Sequence, residues 1–376
     1  MSCHQSLSNA YAVIMAGGRG ERFWPASRIS RPKQFMDLLT DSTMIEQTVE
    51  RLSPLFPPER ILIVTGAAYG ELTRSLFPQI PPENILEEPE ARNTAPCIAL
   101  AAAHIDNLER KANRDPGKAL QCIFPSDHMI HDGDRFCTVI RDCCHQASAE
   151  KNIVTIGIVP TFPCTGYGYI EAGEPLNDGR NRNTVMYHCS GFREKPDLKT
   201  AEEYLHSGKF KWNSGMFIMS LATLSETMQI TAPELYTFYQ TLCQCCQQGG
   251  GSEKLAEIYA EAPKISIDYA VMEKASCLVV ADCTFDWDDV GSWTSLKNHL
   301  PADESGNTVR GRCVSVDTGN CIICNTGDHL IATAGLDHLI VVHTDEITMI
   351  CHEKYAQNIK KILALLHEKP ELKKYL

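Results

Sequence analysis

The sequence predicts a doubly wound α/β domain followed by a small all-β domain and a terminal helix. Two observations predict it. Continuous apolar or β-branched runs alternate with helical patterns over the first 300 residues, which is the mark of a mainly parallel sheet covered on both faces. After Trp293 the helical patterns stop, and short β runs follow one another with Gly, Asn or Asp between them. The domains are expected at residues 1–300 and 301–376.

Four runs read as buried strands: Tyr11 to Met15, Ile61 to Thr65, Gln121 to Phe124 and Ile153 to Val159. A helix is expected over Ser42 to Leu55, with Met44, Ile45, Val49 and Leu52 on one face. A second starts near Asn93 and Thr94, which can cap it. It tolerates Pro96 in its first turn and continues through an Ala-rich run. Beyond residue 300, the regular spacing of GRCVSVDTG, NCIICNTG, DHLIATAG and DHLIVVHTDE points to a coiled β-stack. The last helix carries Tyr355, Ile359, Ile362, Leu363 and Leu366 on one face. That face packs on its own domain or serves a subunit contact, which would make a homodimer. Lys111 to Lys118 and Gln247 to Ser252 read as loose connections.

The chain has 376 residues and a net charge of -12. This balance argues against nucleic-acid binding. No apolar run is long enough for a membrane span, and the first ten residues do not read as a secretory signal. A cytoplasmic enzyme is the expected class. The 17 cysteines are an odd number and scattered. The single CxxC, Cys321 to Cys324, lacks the second half of a zinc site, so free buried thiols are expected. Its redox activity is left open.

The strongest signal follows the first strand: AGGRGERFWPASRISRPKQF, Ala16 to Phe35. Gly17, Gly18 and Gly20 allow close backbone approach to a ligand and aim N–H groups at it. The spacing matches neither the usual P-loop nor a dinucleotide fingerprint. From Ala16 to Met36 five cations (Arg19, Arg22, Arg28, Arg31, Lys33) face one acid, Glu21, giving +4 in an acidic chain. Guanidinium groups around a glycine turn suit a polyphosphate, bound at the carboxyl end of the strand.

AGGRGERFWPASR with RPKQF resembles the signature of sugar-nucleotide pyrophosphorylases, in their mannose-1-phosphate guanylyltransferase branch. The resemblance continues in family order through EARNTAPCIALAA, FPSDH, TGYGYIE, FREKPD, WNSGMF, SIDYAVMEK and WDDVGSW, which ends at Trp293. It implies a Rossmann-like, doubly wound mixed sheet of the nucleotidyltransferase, GT-A-like kind, and a C-terminal domain like a short left-handed β-helix. The implied reaction joins GTP and mannose 1-phosphate into GDP-mannose and pyrophosphate. A sugar phosphate oxygen attacks the α-phosphorus in line. The nucleophile is already an anion, so the task is positioning and charge stabilisation, with Mg²⁺ as the cofactor.

The resemblance assigns parts to individual residues. Arg19 binds the β and γ phosphates, and Lys33 contacts the α-phosphate. Ala16, Gly17, Gly18, Gly20 and Arg22 line the nucleotide, with Asn93, Thr94 and Ala95 beneath the loop. The neighbourhood of Glu88 to Glu90 could read the guanine edge, although guanine over adenine rests on the family branch alone. Asp127 and Asp289 are the metal ligands, and Asp288 is the less favoured acid. Gly168 admits the sugar to the backbone. Glu194 and Asn213 take sugar hydroxyls, and Lys195 takes the sugar's phosphate. Adjacent strand residues point to opposite faces, so Glu194 and Lys195 can serve one ligand only if the chain bends there.

Arg92 holds the place before Asn93 where the family more often has Glu. The clustered histidines of an added isomerase domain are absent, so no isomerase activity is expected. The alternatives are the same chemistry with ATP or another hexose 1-phosphate, and an inactive GDP-mannose-binding relative.

Overall fold

The computed structural model describes residues 7–176, 179 and 183–376. The first six residues of the N-terminal stretch read above lie outside the described residues. The chain forms two compact units, each built from non-consecutive stretches. One comprises residues 1–17, 49–125 and 130–287; the other comprises 18–48, 126–129 and 288–376.

The first unit holds a nine-stranded mixed sheet. Its strands are β1 (Ala10–Ala16), β2 (Ile61–Gly66), β3 (Ile85–Glu88), β4 (Leu120–Pro125), β5 (Ile153–Ile158), β6 (Tyr169–Pro175), β7 (Met186–Arg193), β8 (Phe210–Ser220) and β9 (Leu278–Asp282). The order is β3-β2-β1-β4-β8-β5-β9-β7-β6. β3, β2, β1 and β4 run parallel. β8 enters antiparallel to both β4 and β5. All four expected strands form, as the expected doubly wound sheet. Val159 falls just past β5 and is 61% exposed, so that strand ends one residue early.

Among the described residues the α-helices are α1 (Met44–Leu52), α2 (Gly70–Leu76), α3 (Thr94–Lys111), α4 (Gly133–Ala149), α5 (Leu198–Ser207), α6 (Leu221–Thr231), α7 (Pro233–Gln247), α8 (Ser252–Ala260) and α9 (Ile359–Glu368). α1 buries Met44, Ile45, Val49 and Leu52, the face its sequence pattern predicts. Thr43 and Glu46 form a reciprocal capping box at its start: the Thr43 N–H donates to Glu46 Oε2 at 2.8 Å, and the Glu46 N–H to Thr43 Oγ1 at 3.3 Å. α3 buries the run Ala95 to Ala103, because alanines let it lie close to its neighbours in the core.

The second unit contains the coiled β region. Strands β10 (Thr308–Arg310), β12 (Ile322–Asn325) and β14 (Leu339–His343) stack in parallel, and β15 (Thr348–His352) closes that sheet antiparallel. β11 (Cys313–Val316) and β13 (Ile331–Ala334) pair in parallel in a second sheet. The chain thus alternates between two sheets as it climbs, which is the expected coil. No disulfide joins the described cysteines, and Cys321 and Cys324 are buried. Ile359 and Leu363 of α9 bury against Phe23, Trp24 and Trp293 within this unit. Tyr355, expected on that helix face, lies before the helix and is 54% exposed. Among the described residues no helix is long and apolar enough to cross a membrane.

Candidate active site

In the second unit, the segment after β1 is folded on two tryptophans. Trp293 packs edge-on against Phe23 at 5.2 Å between ring centroids, and its Nε1–H donates to the Trp24 carbonyl at 3.2 Å. This fixes the course of the basic segment. Gly20 adopts φ 63°, a conformation costly for other residues, and a Cβ there would overlap the Lys33 side chain. Gly20 therefore lets Lys33 lie close behind the loop.

Lys33 is 5% exposed. Its ammonium donates three hydrogen bonds: to Asp127 Oδ2 at 2.8 Å, to the Asp127 carbonyl at 3.0 Å and to the Asp289 carbonyl at 2.8 Å. Three N–H groups meet three acceptors, so the donor capacity of the ammonium is filled by protein. Two backbone hydrogen bonds between Met129 and Asp288, at 2.8 and 3.1 Å, clamp the two acid-bearing segments side by side. Burial pushes the Asp127 carboxyl up, but the Lys33 ammonium, His128 and the Lys33 hydrogen bond outweigh it and hold it below the ordinary range. Asp288 is engaged differently. It accepts from the Val290 N–H at 2.7 Å, Asn298 Nδ2 at 2.9 Å and His299 Nε2 at 3.0 Å. Val290, at φ 45° and fully buried, is held in a backbone conformation that a β-branched residue rarely takes.

The four arginines of the basic segment divide in two. Arg28 donates to the Pro25 carbonyl and to Glu346, and Arg31 to the Phe35 carbonyl and to Asp37. Arg19 and Arg22 have no hydrogen-bonding or ion-pair partner among the described residues. Arg19 is exposed and borders a cavity of about 240 Å³ with Lys360 and His367 of α9.

In the first unit, Ala16 ends β1 and is fully buried, with its carbonyl accepting from Thr65 Oγ1 at 3.2 Å. Gly17 and Gly18 follow, both exposed. A Cβ on Gly17 would lie 3.6 Å from Glu88 Oε2. Glu88 ends β3 and is 7% exposed. Its other oxygen accepts from the Tyr259 hydroxyl at 3.2 Å. Burial, with no ion pair among the described residues to offset it, pushes this carboxyl up to about 7. Asn93 caps α3 through the Thr94 N–H at 2.8 Å. Thr94 Oγ1 accepts from the Ile267 N–H at 2.9 Å, and the Ala95 N–H donates to the Ile265 carbonyl at 3.2 Å. The polar groups of Thr94 and Ala95 thus tie down residues 265–267.

A second cluster in this unit gathers the residues expected around the sugar. Lys195 adopts φ 46°, which is the bend the adjacent pair requires, and its ammonium pairs with Glu194 Oε1. A Cβ on Gly168 would overlap the Glu194 carboxylate, so that glycine makes room for the acid. The Gly168 carbonyl accepts from the Asn213 N–H at 2.8 Å. Asn213 Oδ1 accepts from the Gly215 N–H at 3.1 Å and from Thr155 Oγ1 at 3.3 Å, and its Nδ2 donates to Asp268 Oδ1 at 3.0 Å. Asp268 and Glu273, whose Oε1 accepts from the Glu194 N–H at 3.0 Å, lie in a block read from sequence, yet neither was singled out. The signal was available: Asp268 interrupts an apolar run between Ile267 and Ala270.

Residues 11–306 match the model of the nucleotidyl transferase family. The chain belongs to that family. Residues 311–366 of this nucleotidyl transferase match the mannose phosphate isomerase/GMP-like β-helix domain. It is 36% identical over 359 residues to a mannose-1-phosphate guanylyltransferase of Salmonella montevideo, covering 93% of this chain and 72% of that protein. It is also 36% identical to the xanthan biosynthesis protein XanB of Xanthomonas campestris, covering 95% of this chain and 73% of the relative. Among solved structures, a mannose-1-phosphate geranyltransferase from Thermus thermophilus matches with a TM-score of 0.82 at 34% identity, over 96% of this chain and 99% of that one.

Proposed function

We propose that this nucleotidyl transferase transfers GMP from GTP to mannose 1-phosphate, giving GDP-mannose and pyrophosphate. The observation that carries the reading is the division among the loop arginines. Arg28 and Arg31 are spent on the protein, while Arg19 and Arg22 present unpaired guanidinium groups on the glycine turn. Such a surface suits a polyphosphate. Similarity along the whole chain to mannose-1-phosphate guanylyltransferases names the two substrates.

Arg19 holds the β and γ phosphates and offsets the charge that gathers on pyrophosphate as it leaves. Arg22, the backbone of Ala16 to Gly20 and the exposed Asn93 complete the nucleotide side. The first turn of α3, with Thr94 and Ala95, supports it, and the stretch from Glu88 to Glu90 reads the base edge in this proposal. On the sugar side, Glu194 accepts hydroxyls and Lys195 takes the phosphate, with Gly168 and Asn213 shaping the site. The attacking phosphate oxygen is already an anion, so no side chain need remove a proton. One P–O bond forms at the α-phosphorus as the bond to pyrophosphate breaks.

Asp127 and Asp289 would hold a divalent ion. The donor set fits Mg²⁺, which takes one or two carboxylates together with phosphate oxygens and water. Among the described residues no group of three or more His, Cys, Asp or Glu offers a closed protein site. When bound, such an ion neutralises triphosphate charge. The sequence resemblance sets Lys33 against the α-phosphate. With its three donors engaged, we assign it the placing of Asp127 and Asp289. Residues 1–300 form the catalytic part in this reading and 301–376 the β-rich part, in a cytoplasmic homodimer.

The test is a matrix of nucleoside triphosphates against sugar 1-phosphates, read as pyrophosphate release. Release is expected only with GTP, mannose 1-phosphate and Mg²⁺ together, and Asp127→Ala should lower it about 10²- to 10³-fold. Equal turnover with ATP or another hexose phosphate would refute the assignment.

A further inference from the structure

The sugar-side cluster contains an acid that the proposed function leaves without a part. Asp268 opens a π-helical turn, Asp268–Met272, a rare backbone form that recurs at functional sites. The turn is held from both ends. Its approach is fixed by the Ile267 N–H on Thr94 Oγ1 and by the Ala95 N–H on the Ile265 carbonyl. Its exit is fixed by the Glu273 N–H, which donates to the Asp268 carbonyl at 2.9 Å.

Asn213 was expected to offer its amide to the sugar. Its oxygen instead accepts two protein hydrogen bonds, and its nitrogen donates to Asp268 Oδ1. The amide therefore orients a carboxyl group. Among the described residues no side chain donates to Asp268 Oδ2. Asp268 is half-buried and Oδ2 is not an orphaned buried atom, so a ligand hydroxyl can take the place of water there. Beside it lies Glu194, with an 8% exposed side chain, and Lys195, whose side chain is 58% exposed. Burial and the Glu194 charge push the Asp268 carboxyl up to about 6. Two carboxyl groups and one exposed ammonium make a receptor for a polyol that carries a phosphate. The acids take neighbouring hydroxyls and the ammonium takes the anion.

We infer that Asp268 is a further sugar-binding residue, taking a hydroxyl of the hexose 1-phosphate on Oδ2, and that Asn213 is the positioning residue that aims it. This rests on the transferase reading above and deepens its sugar side.

The test is steady-state kinetics of Asp268→Asn, which keeps the shape and the Asn213 contact but removes the charge. KM for mannose 1-phosphate should rise at least about 30-fold, while KM for GTP stays within twofold. In the reverse direction KM for GDP-mannose should rise and KM for pyrophosphate should not. Asn213→Ala should raise the same KM, and the two changes together should cost no more than Asp268→Asn alone, since one acts through the other. A second measurement uses the wild-type enzyme with each monodeoxy mannose 1-phosphate. The analogue lacking the bound hydroxyl should lose affinity in the wild type and lose little more in Asp268→Asn. If the wild type turns over mannose 1-phosphate but Asp268→Asn leaves its KM within twofold, the inference fails alone. Equal losses for GTP and the sugar phosphate would show a merely structural acid and also overturn it. A wild type inactive on every hexose 1-phosphate would remove the transferase reading, and this one with it.

Discussion

Two clusters in this protein have the same composition, two acids and a lysine, and opposite physics. Around Lys33 the lysine is the buried member, with a 6% exposed side chain and three protein acceptors. Its partner Asp127 is held below the ordinary carboxylate range. Around Lys195 the lysine is the exposed member, and Asp268 behind it is pushed up. A saturated central cation favours the charged form of the carboxylate paired with it, which suits a metal ion. An outer cation leaves the acids partly uncompensated, which suits hydroxyls. The contrast teaches that composition does not set the role of such a cluster; which member is buried does.

The sharpest way to break this contrast is Lys33→Met. It strands Asp127 and two carbonyls, and should lower the unfolding free energy by about 4 kcal/mol in urea titrations. A loss under about 1 kcal/mol would mean that the lysine is no strut. Gly20→Ala attacks the same strut from behind. It forces a Cβ into Lys33 at a positive φ and should cost about 3 kcal/mol by thermal unfolding. Glu88 offers a carboxyl with burial and no cation. Its folded value, about 7, lies above the ordinary 4.5. The folded state thus favours the protonated form, and that preference is fully present below about pH 4.5. It is lost as pH rises to about 7, at a cost of about 2 to 3 kcal/mol. Glu88→Gln should flatten that slope in melts across pH 4 to 8; an unchanged slope would assign it to other groups. Lys195→Met should show the smallest effect, about 1 kcal/mol, and only above about pH 6, where Asp268 carries its charge. A loss equal to that of Lys33→Met would erase the distinction.

The sheet was legible where burial on both faces leaves a continuous apolar run, as in β1, β2, β4 and β5. It was not legible in β3, a four-residue strand carrying Glu87 and Glu88, nor in β8, whose pattern is broken at Asn213 to Gly215. The basic loop was legible because glycines and arginines concentrate there. Which arginines remain unpaired was not, because Arg28 finds Glu346 across 318 positions. The bend at Lys195 was legible only as a condition, since adjacent strand residues reach one ligand only where the chain turns. The part played by Asn213 could not follow, since an amide that binds sugar and one that orients an acid look identical in one dimension.

The three hydrogen bonds of Lys33 also set an order on biosynthesis. The last acceptor is supplied by Asp289. A nascent chain emerges from its N-terminus, so the glycine turn and Asp127 leave the ribosome long before their third support. An unfinished polypeptide thus lacks the third acceptor of the buried ammonium, and the arrangement around Lys33 is complete only when synthesis is well advanced.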